Sequence, residues 1–176
     1  MKMIMIEKSG GGTGFLCDDT GMGKTLTVIG LIISNPSKEH CLDADRVYQQ
    51  IQFQIKNPGN KYPTKYKLKC TLLFVPVRII DQWSIEISKY APQLKVLVFN
   101  NTKGHDEFLK SLQSKKPHIR MYAYHRLVEA DIIIVSTFIT SWETLALINT
   151  FHVHRICLDE AHFRPFACSP IMAQCK

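Results

Sequence analysis

The 176-residue sequence predicts a single α/β domain, in which a doubly wound and mostly parallel sheet carries helices on both faces. Short apolar runs alternate with helical patterns along the chain, as in successive βαβ units. These runs are continuous rather than alternating, which is typical of strands buried on both faces. With 45% apolar residues, a chain of this length can form one hydrophobic core of its own.

The first half of the chain contains two predicted elements and an insertion. Residues 15–17 (FLC) form a short apolar run and are predicted to be a buried strand. A helix is predicted from Thr25 to about Ser34, where Asn-Pro-Ser ends it. Residues 38–69 hold seven Lys/Arg against three Asp/Glu, so we interpret 35–69 as a basic insertion or long loop, with a short helix near 43–55.

The second half alternates strands and helices by apolar pattern. We predict strands over 71–75, 95–99, 131–136 and 153–158, helices over 78–90, 105–114 and 139–149, and an irregular basic segment over 115–128. No clear period marks the ends of the chain. The expected organisation is a flexible N-terminus over 1–12, the domain over 13–162 and an atypical tail over 163–176.

Charge and cysteine usage narrow the functional classes. The net charge of +7 favours a polyanionic partner. No apolar run approaches the roughly 18 residues of a membrane span, and the N-terminus does not resemble a secretory signal, so we expect no membrane partner and a location on the cytosolic or nuclear side. The six cysteines lack C-x-x-C spacing, which favours reduced structural cysteines over a metal site through His162, Cys168 and Cys175.

Residues 18–25 (DDTGMGKT) fit the end of the phosphate-loop pattern G-x-x-x-x-G-K-[ST], although an aspartate stands at the first glycine position. The glycines allow a tight turn that brings backbone amides close to a phosphate chain, and the positive end of the following helix points to the same place. The lysine would neutralise β- and γ-phosphate charge, and the threonine hydroxyl would ligate Mg²⁺. The alternative is a glycine-rich turn with a surface lysine. The predicted nucleotide-binding residues are Asp18, Gly21, Gly23, Lys24, Thr25 and Leu26.

An apolar strand that ends in Asp159 and Glu160 predicts the second half of an ATPase site. Asp159 would hold Mg²⁺ through water, and Glu160 would position and deprotonate the attacking water. Both motifs follow strands, and ligands of open α/β sheets bind at the carboxyl ends of strands. The alternative is an acidic exit from a strand. His162 closes the DEAH tetrad and either couples the site to a neighbouring domain or is an ordinary core or surface histidine.

Four blocks carry a family resemblance. DDTGMGKT resembles DEMGLGKT, the phosphate loop of the Swi/Snf family of helicase-like, DNA-translocating ATPases of superfamily two, and the preceding TGFLC is similar to the family's GGILA. Residues 72–90 (LLFVPVRIIDQWSIEISKY) resemble its motif Ia block, LIVVPxSLLxQWxxEIxKY. IIIVSTF at 132–138 and HRICLDEAH at 154–162 are similar to its VLTTY and HRVILDEAH segments. With its long insertion, the sequence resembles the branch of the family that couples DNA translocation to a RING ubiquitin ligase in post-replication repair.

The resemblance implies a RecA-like P-loop lobe that uses ATP and Mg²⁺, with Lys24 and Glu160 in catalytic roles. It implies contact with the backbone of double-stranded DNA through segments 76–83 and 136–138, where Arg78, Ser136 and Thr137 are the candidate phosphate contacts. It also implies a nuclear protein of chromatin remodelling or DNA repair, with nucleosomes or ubiquitin-pathway proteins as further candidate partners.

The sequence departs from the family at several points. Asp19 and Thr20 replace the family's Glu and Met, no adenine-reading Q-motif precedes the loop, and the motif III strand, second lobe and arginine fingers are absent from this sequence. We therefore expect the chain alone to bind ATP but to hydrolyse it poorly, because an arginine finger is worth about 10³ to 10⁵ in rate. The alternative is a non-catalytic remnant that binds DNA or a protein partner. A measurement of ATP binding would distinguish the two hypotheses.

Overall fold

The structure, a computed structural model, describes residues 2–8, 14, 16–19, 21–37, 45–46, 49, 66–137 and 151–160. In chain order the elements are α1 (Lys2–Lys8), α2 (Lys24–Ser34), β1 (Tyr66–Val75), a 3₁₀ turn (Val77–Ile79), α3 (Ile80–Tyr90), β2 (Val96–Phe99), α4 (Thr102–Leu112), α5 (Pro117–Glu129), β3 (Ile132–Ser136) and β4 (Phe151–Leu158). The helix predicted over 139–149, most of the insertion and the tail lie outside the described residues.

The four strands form one parallel sheet in the order β2-β3-β1-β4. In the centre of the sheet, Leu73 of β1 lies beside Ile134 of β3 and Cys157 of β4. Parallel strands need crossover connections: α3 lies on the connection from β1 to β2, and α4 and α5 lie on the connection from β2 to its neighbour β3. The predicted α/β class with a parallel sheet is confirmed.

Alternate residues of the strands point to opposite faces, and each face has its own core. One core joins Leu72 and Phe74 of β1 to the buried side of α4 and α5. The other joins Leu73 and Val75 to α2 and α3. Because both faces are covered, β3 is buried along its whole length, which explains its uninterrupted apolar sequence.

Helix α5 contradicts the prediction of an irregular segment over 115–128. Pro117 stands at its first turn, where a missing N–H costs nothing, and Ala123, Tyr124, Leu127 and Val128 form its buried side. The pattern was hard to detect because alanine and tyrosine provide half of that side and histidine and arginine lie between them. No helix of the described part of the chain is both long and apolar enough to cross a membrane.

The structure also corrects the first half of the chain. Helix α1 occupies residues for which no element was predicted. Strand β1 begins at Tyr66, inside the predicted insertion, because Leu68 and Cys70 point into the core while Lys67 is exposed. Leu16 and Cys17 are not in a strand, and Cys17 is exposed rather than packed as a small hydrophobe. A run of three residues offers few ladder bonds, and it continues at once into the phosphate loop.

Candidate nucleotide site

The loop before α2 has the backbone that its glycines allow. Gly21 and Gly23 have φ angles of 83° and 74°, in the left-handed region that favours glycine. A Cβ atom built at either position would meet nothing within 4 Å, so the glycines are required by the backbone angle and the space beside them is open. Gly23 is also the N-cap of α2, and no side chain of the described residues caps that helix. The first amides of α2 can therefore donate to an anion.

Lys24 folds back over this loop. Its Nζ atom donates hydrogen bonds to the carbonyl oxygens of Asp18 and Asp19, at 2.8 Å each. A turn from the Met22 amide to the Asp19 carbonyl, at 3.3 Å, closes the same loop. The cation is thus fixed at the open N-terminal end of α2, which is the charge arrangement that a phosphate chain requires.

The acidic pair directly follows β4. The Asp159 amide donates to the Phe74 carbonyl at 2.9 Å, which extends the sheet by one residue. The Asp159 carboxylate accepts two N–H donors, the Trp83 indole Nε1 at 2.7 Å and the Glu160 amide at 3.0 Å. Glu160 has a φ of 52°, an unusual angle for a residue with a side chain. The chain turns sharply here, at the carboxyl end of the sheet.

A buried cluster, the Arg155 cluster, connects the elements on which these two motifs are built. Arg155 of β4 donates through Nε and Nη2 to the two carboxylate oxygens of Glu7 in α1. Its Nη1 atom donates to the Thr71 hydroxyl of β1. Its Nη2 atom also donates to the carbonyl oxygen of Asn35 at the end of α2. The Asn35 amide group donates to Glu7 at 2.7 Å. The cluster therefore links α1, α2, β1 and β4.

The charge of Glu7 depends on this cluster. Burial alone would raise its pKa, but the hydrogen bonds from Arg155 and Asn35 and the charge of Arg155 outweigh that effect and hold the pKa below its usual value. Arg155 is only 8% exposed, so the ion pair is largely shielded from water. Between Arg155 and Asp159, burial raises the pKa of the Cys157 thiol to about 11.

The remaining predicted residues are placed as follows. Asp18 and Leu26 are exposed, and the carbonyl oxygen of Asp18 accepts a hydrogen bond from Lys24. Thr25 is half-buried in the first turn of α2. Arg78 is exposed in the 3₁₀ turn. Ser136, the last residue of β3, is 1% exposed, and Thr137 donates its amide to the Val75 carbonyl. His162, Cys168 and Cys175 lie outside the described residues, and no three metal-ligating side chains cluster within the described part.

Two features of the site escaped the sequence analysis. Trp83 lies in the helix predicted over 78–90, and its N–H bond to Asp159 joins residues 76 positions apart. Glu7 and Arg155 are 148 positions apart, and no local pattern relates them. The only signal in the sequence was that both Trp83 and Arg155 belong to blocks that resemble a family motif.

The described residues fit a magnesium nucleotide. The open, uncapped end of α2 and the Lys24 cation could hold phosphate groups. The Thr25 hydroxyl and the Asp159 carboxylate are oxygen ligands of the kind that Mg²⁺ prefers. Glu160 supplies a second carboxylate beside Asp159 that could take a proton.

A family model and several curated relatives match this chain. The model of the SNF2-related domain matches residues 2–167. DNA repair protein RAD5 of Candida glabrata is 27% identical over 161 residues, and TATA-binding protein-associated factor MOT1 of Saccharomyces cerevisiae is 28% identical over 150. A bovine SWI/SNF-related regulator of chromatin of subfamily A, containing DEAD/H box 1, is 27% identical over 152 residues. Each match covers 85% of this chain but only 6% to 14% of the relative.

Proposed function

Because the chain belongs to the SNF2-related domain family, we propose that it is the ATP-binding lobe of a DNA-dependent ATPase and DNA translocase. The names of its relatives, which refer to DNA repair and chromatin, support a nuclear role in one of these processes. The chain spans a small part of those relatives, so the activity and partners of the whole protein belong to this proposal.

One observation carries the proposal: an uncapped helix N-terminus, open on its outer side, with a lysine ammonium folded over it. A structural turn would normally cap the first helix amides with a side chain. Here those donors remain for a ligand, and the nearest cation is fixed by backbone carbonyls rather than by an acid. Such a site binds an anion with several oxygens, and a triphosphate satisfies it.

We assign the chemistry as follows. Lys24 leaves the carbonyls of Asp18 and Asp19 and neutralises β- and γ-phosphate oxygens. Thr25 and Asp159 would hold Mg²⁺, which would supply charge stabilisation at the transferring phosphate. The Glu160 carboxylate orients the attacking water and accepts its proton. We expect hydrolysis to be slow unless an arginine finger is supplied to stabilise the transition state.

The proposal also includes contacts with the DNA backbone. The net charge of +7 favours a polyanion, and Arg78 is exposed in the turn that follows β1. Ser136 and Thr137 follow from the family resemblance alone. We expect DNA affinity to fall steeply with salt, as phosphate contacts require. Arg78→Ala should make the slope of log affinity against log salt concentration less steep by about 0.9, which corresponds to the loss of one phosphate contact.

Calorimetric titration of the chain with Mg-ATP tests the nucleotide site. The unaltered chain should bind, and Lys24→Ala should lower the affinity below detection. Lys110→Ala is the matched control, because it removes an exposed lysine from α4, on the face of the sheet opposite α2. Unchanged binding in Lys24→Ala would contradict the site. No binding by the unaltered chain would instead favour the non-catalytic alternative, which salt-dependent DNA binding would then support.

A further inference from the structure

Trp83 is the one buried residue of α3 that has a polar atom in its side chain. It lies between Ile80 and Ile87 on the apolar face of the helix and is 4% exposed. Its indole N–H leaves this apolar core and donates to Oδ2 of Asp159 at 2.7 Å. Phenylalanine or leucine would fill the same core, so packing alone does not require a tryptophan here. The indole nitrogen makes a second connection that an aliphatic side chain cannot make.

This hydrogen bond determines the direction of the Asp159 carboxylate. The other oxygen, Oδ1, accepts the amide of Glu160 at 3.0 Å. Two N–H donors, one on each oxygen, fix the plane of the carboxyl group. A carboxylate has about four lone-pair positions, so two remain for a metal ion or its water. Both donors are neutral, which leaves the negative charge of Asp159 intact for a cation.

The choice of donor matters for the chemistry. An arginine or lysine in place of Trp83 would compete with a metal ion for the same charge. The indole N–H is a donor only, and it does not titrate in the physiological range. Donors of this kind orient metal ligands in proteins, and their loss typically costs about 10- to 100-fold in metal affinity or activity.

We propose that Trp83 is a positioning residue, whose indole N–H holds the Asp159 carboxylate in the orientation that binds the magnesium of the nucleotide. The proposal rests on the proposed function of the Asp159 site. It assigns to α3, otherwise a packing helix, a part in metal binding that acts through Asp159.

Magnesium dependence of nucleotide binding tests the proposal. The probe is AMP-PNP, a non-hydrolysable ATP analogue, titrated calorimetrically at increasing Mg²⁺. Trp83→Phe retains an aromatic ring in the core but lacks the N–H. It should raise the Mg²⁺ concentration for half-maximal binding about tenfold, while affinity for AMP-PNP in EDTA stays the same. Ile87→Val is the matched control, because it perturbs the same buried face without touching Asp159, and it should change neither quantity.

A fluorescence readout keeps the test independent of whether Trp83→Phe folds. The sequence has two tryptophans, so Trp142→Phe leaves Trp83 as the single emitter. Adding Mg²⁺ to the AMP-PNP complex should shift its emission, and Asp159→Asn should abolish the shift. An unchanged Mg²⁺ requirement in Trp83→Phe, or an emission that ignores Mg²⁺ while binding depends on it, overturns the positioning role alone. Absence of AMP-PNP binding by the unaltered chain overturns the proposed function and the positioning role together.

Discussion

The Arg155 cluster and the nucleotide edge, which comprises Lys24, Trp83, Asp159 and Glu160, are both polar but are built in opposite ways. In the Arg155 cluster, one cation meets one carboxylate, and a hydroxyl and an amide complete their hydrogen bonds. At the nucleotide edge, the hydrogen bonds within the described part of the chain join Lys24 to carbonyl oxygens and Asp159 to neutral N–H donors. Backbone angles differ as well, since positive φ angles occur at Gly21, Gly23 and Glu160.

This difference separates a structural role from the role that we propose for the nucleotide edge. A buried ion pair that is fully hydrogen-bonded leaves no charge for a ligand, and its effect is to join elements. An edge whose charges are held by neutral groups keeps those charges available. The first cluster therefore holds the elements that carry the second, because Arg155 lies in β4, the strand that Asp159 directly follows, and Asn35 ends the helix that Lys24 begins.

The largest expected effect comes from breaking the Arg155 cluster. Arg155→Met leaves Glu7 partly buried without its cation, and we expect the free energy of unfolding to fall by about 3 kcal/mol. We take the lower end of the usual range because the Glu7 side chain stays 25% exposed. Urea unfolding followed by circular dichroism measures the change.

Two further variants show whether the pairing is responsible. Adding Glu7→Gln to Arg155→Met should recover part of the loss, because no buried charge then remains. Lys95→Ala breaks an exposed ion pair with Glu129 and should leave stability nearly unchanged. If Lys95→Ala and Arg155→Met had equal effects, the Arg155 cluster would not be a structural centre.

The two clusters were not equally predictable from the sequence. The nucleotide edge lies at the ends of local patterns, a glycine-rich loop before a helix and an apolar strand before two acids, so Lys24 and Asp159 could be proposed as site residues from the sequence directly. The Arg155 cluster depends on a contact between residues 148 positions apart, which only the folded sheet creates. The same reason hid the bond from Trp83 to Asp159.

Element prediction followed the same rule. Strands β2 and β3 and helices α2 and α3 have apolar patterns that are complete within the element, and they were predicted to within three residues at each end. Helix α5 and the first part of β1 mix basic and apolar residues, and their buried positions make sense only against the sheet. Tertiary packing there overrides a local sequence that is typical of a loop.

The reactivity of Cys157 reports how well the end of β4 is buried between Arg155 and Asp159. Burial raises the pKa of its thiol from 9.0 to about 11, so at pH 8 its thiolate should be about a hundredfold scarcer than that of a thiol with the ordinary pKa. Cys17, just before the phosphate loop, is exposed. Iodoacetamide labelling resolved by mass spectrometry should modify Cys17 far faster than Cys157. Equal rates in the native chain would show that the end of β4 opens readily, and labelling in urea is the control.

Replacing a glycine in the phosphate loop and one in the helix that follows it should change the stability of the chain in opposite directions. Gly23→Ala places a Cβ in the left-handed region, which costs about 1–2 kcal/mol, although it meets no atom. Gly30→Ala lies inside α2, has open space beside it and should stabilise the chain by about 0.5–1 kcal/mol. Thermal unfolding of both variants measures the difference. If both changes were stabilising, the loop backbone would not be strained.

Acid should weaken the Arg155 cluster, because it protonates Glu7. The pKa of Glu7 is lower in the folded chain than its ordinary value of 4.5, so the ionised carboxylate contributes stability that is fully present above that value. The contribution disappears as the pH falls through the lowered pKa. The stability gap between the unaltered chain and Glu7→Gln should therefore be wide at pH 7 and close below pH 4.5. Glu107→Gln removes an exposed carboxylate from α4 as control, and a gap for Glu7→Gln that persisted in strong acid would mean that the side chain acts by shape rather than by charge.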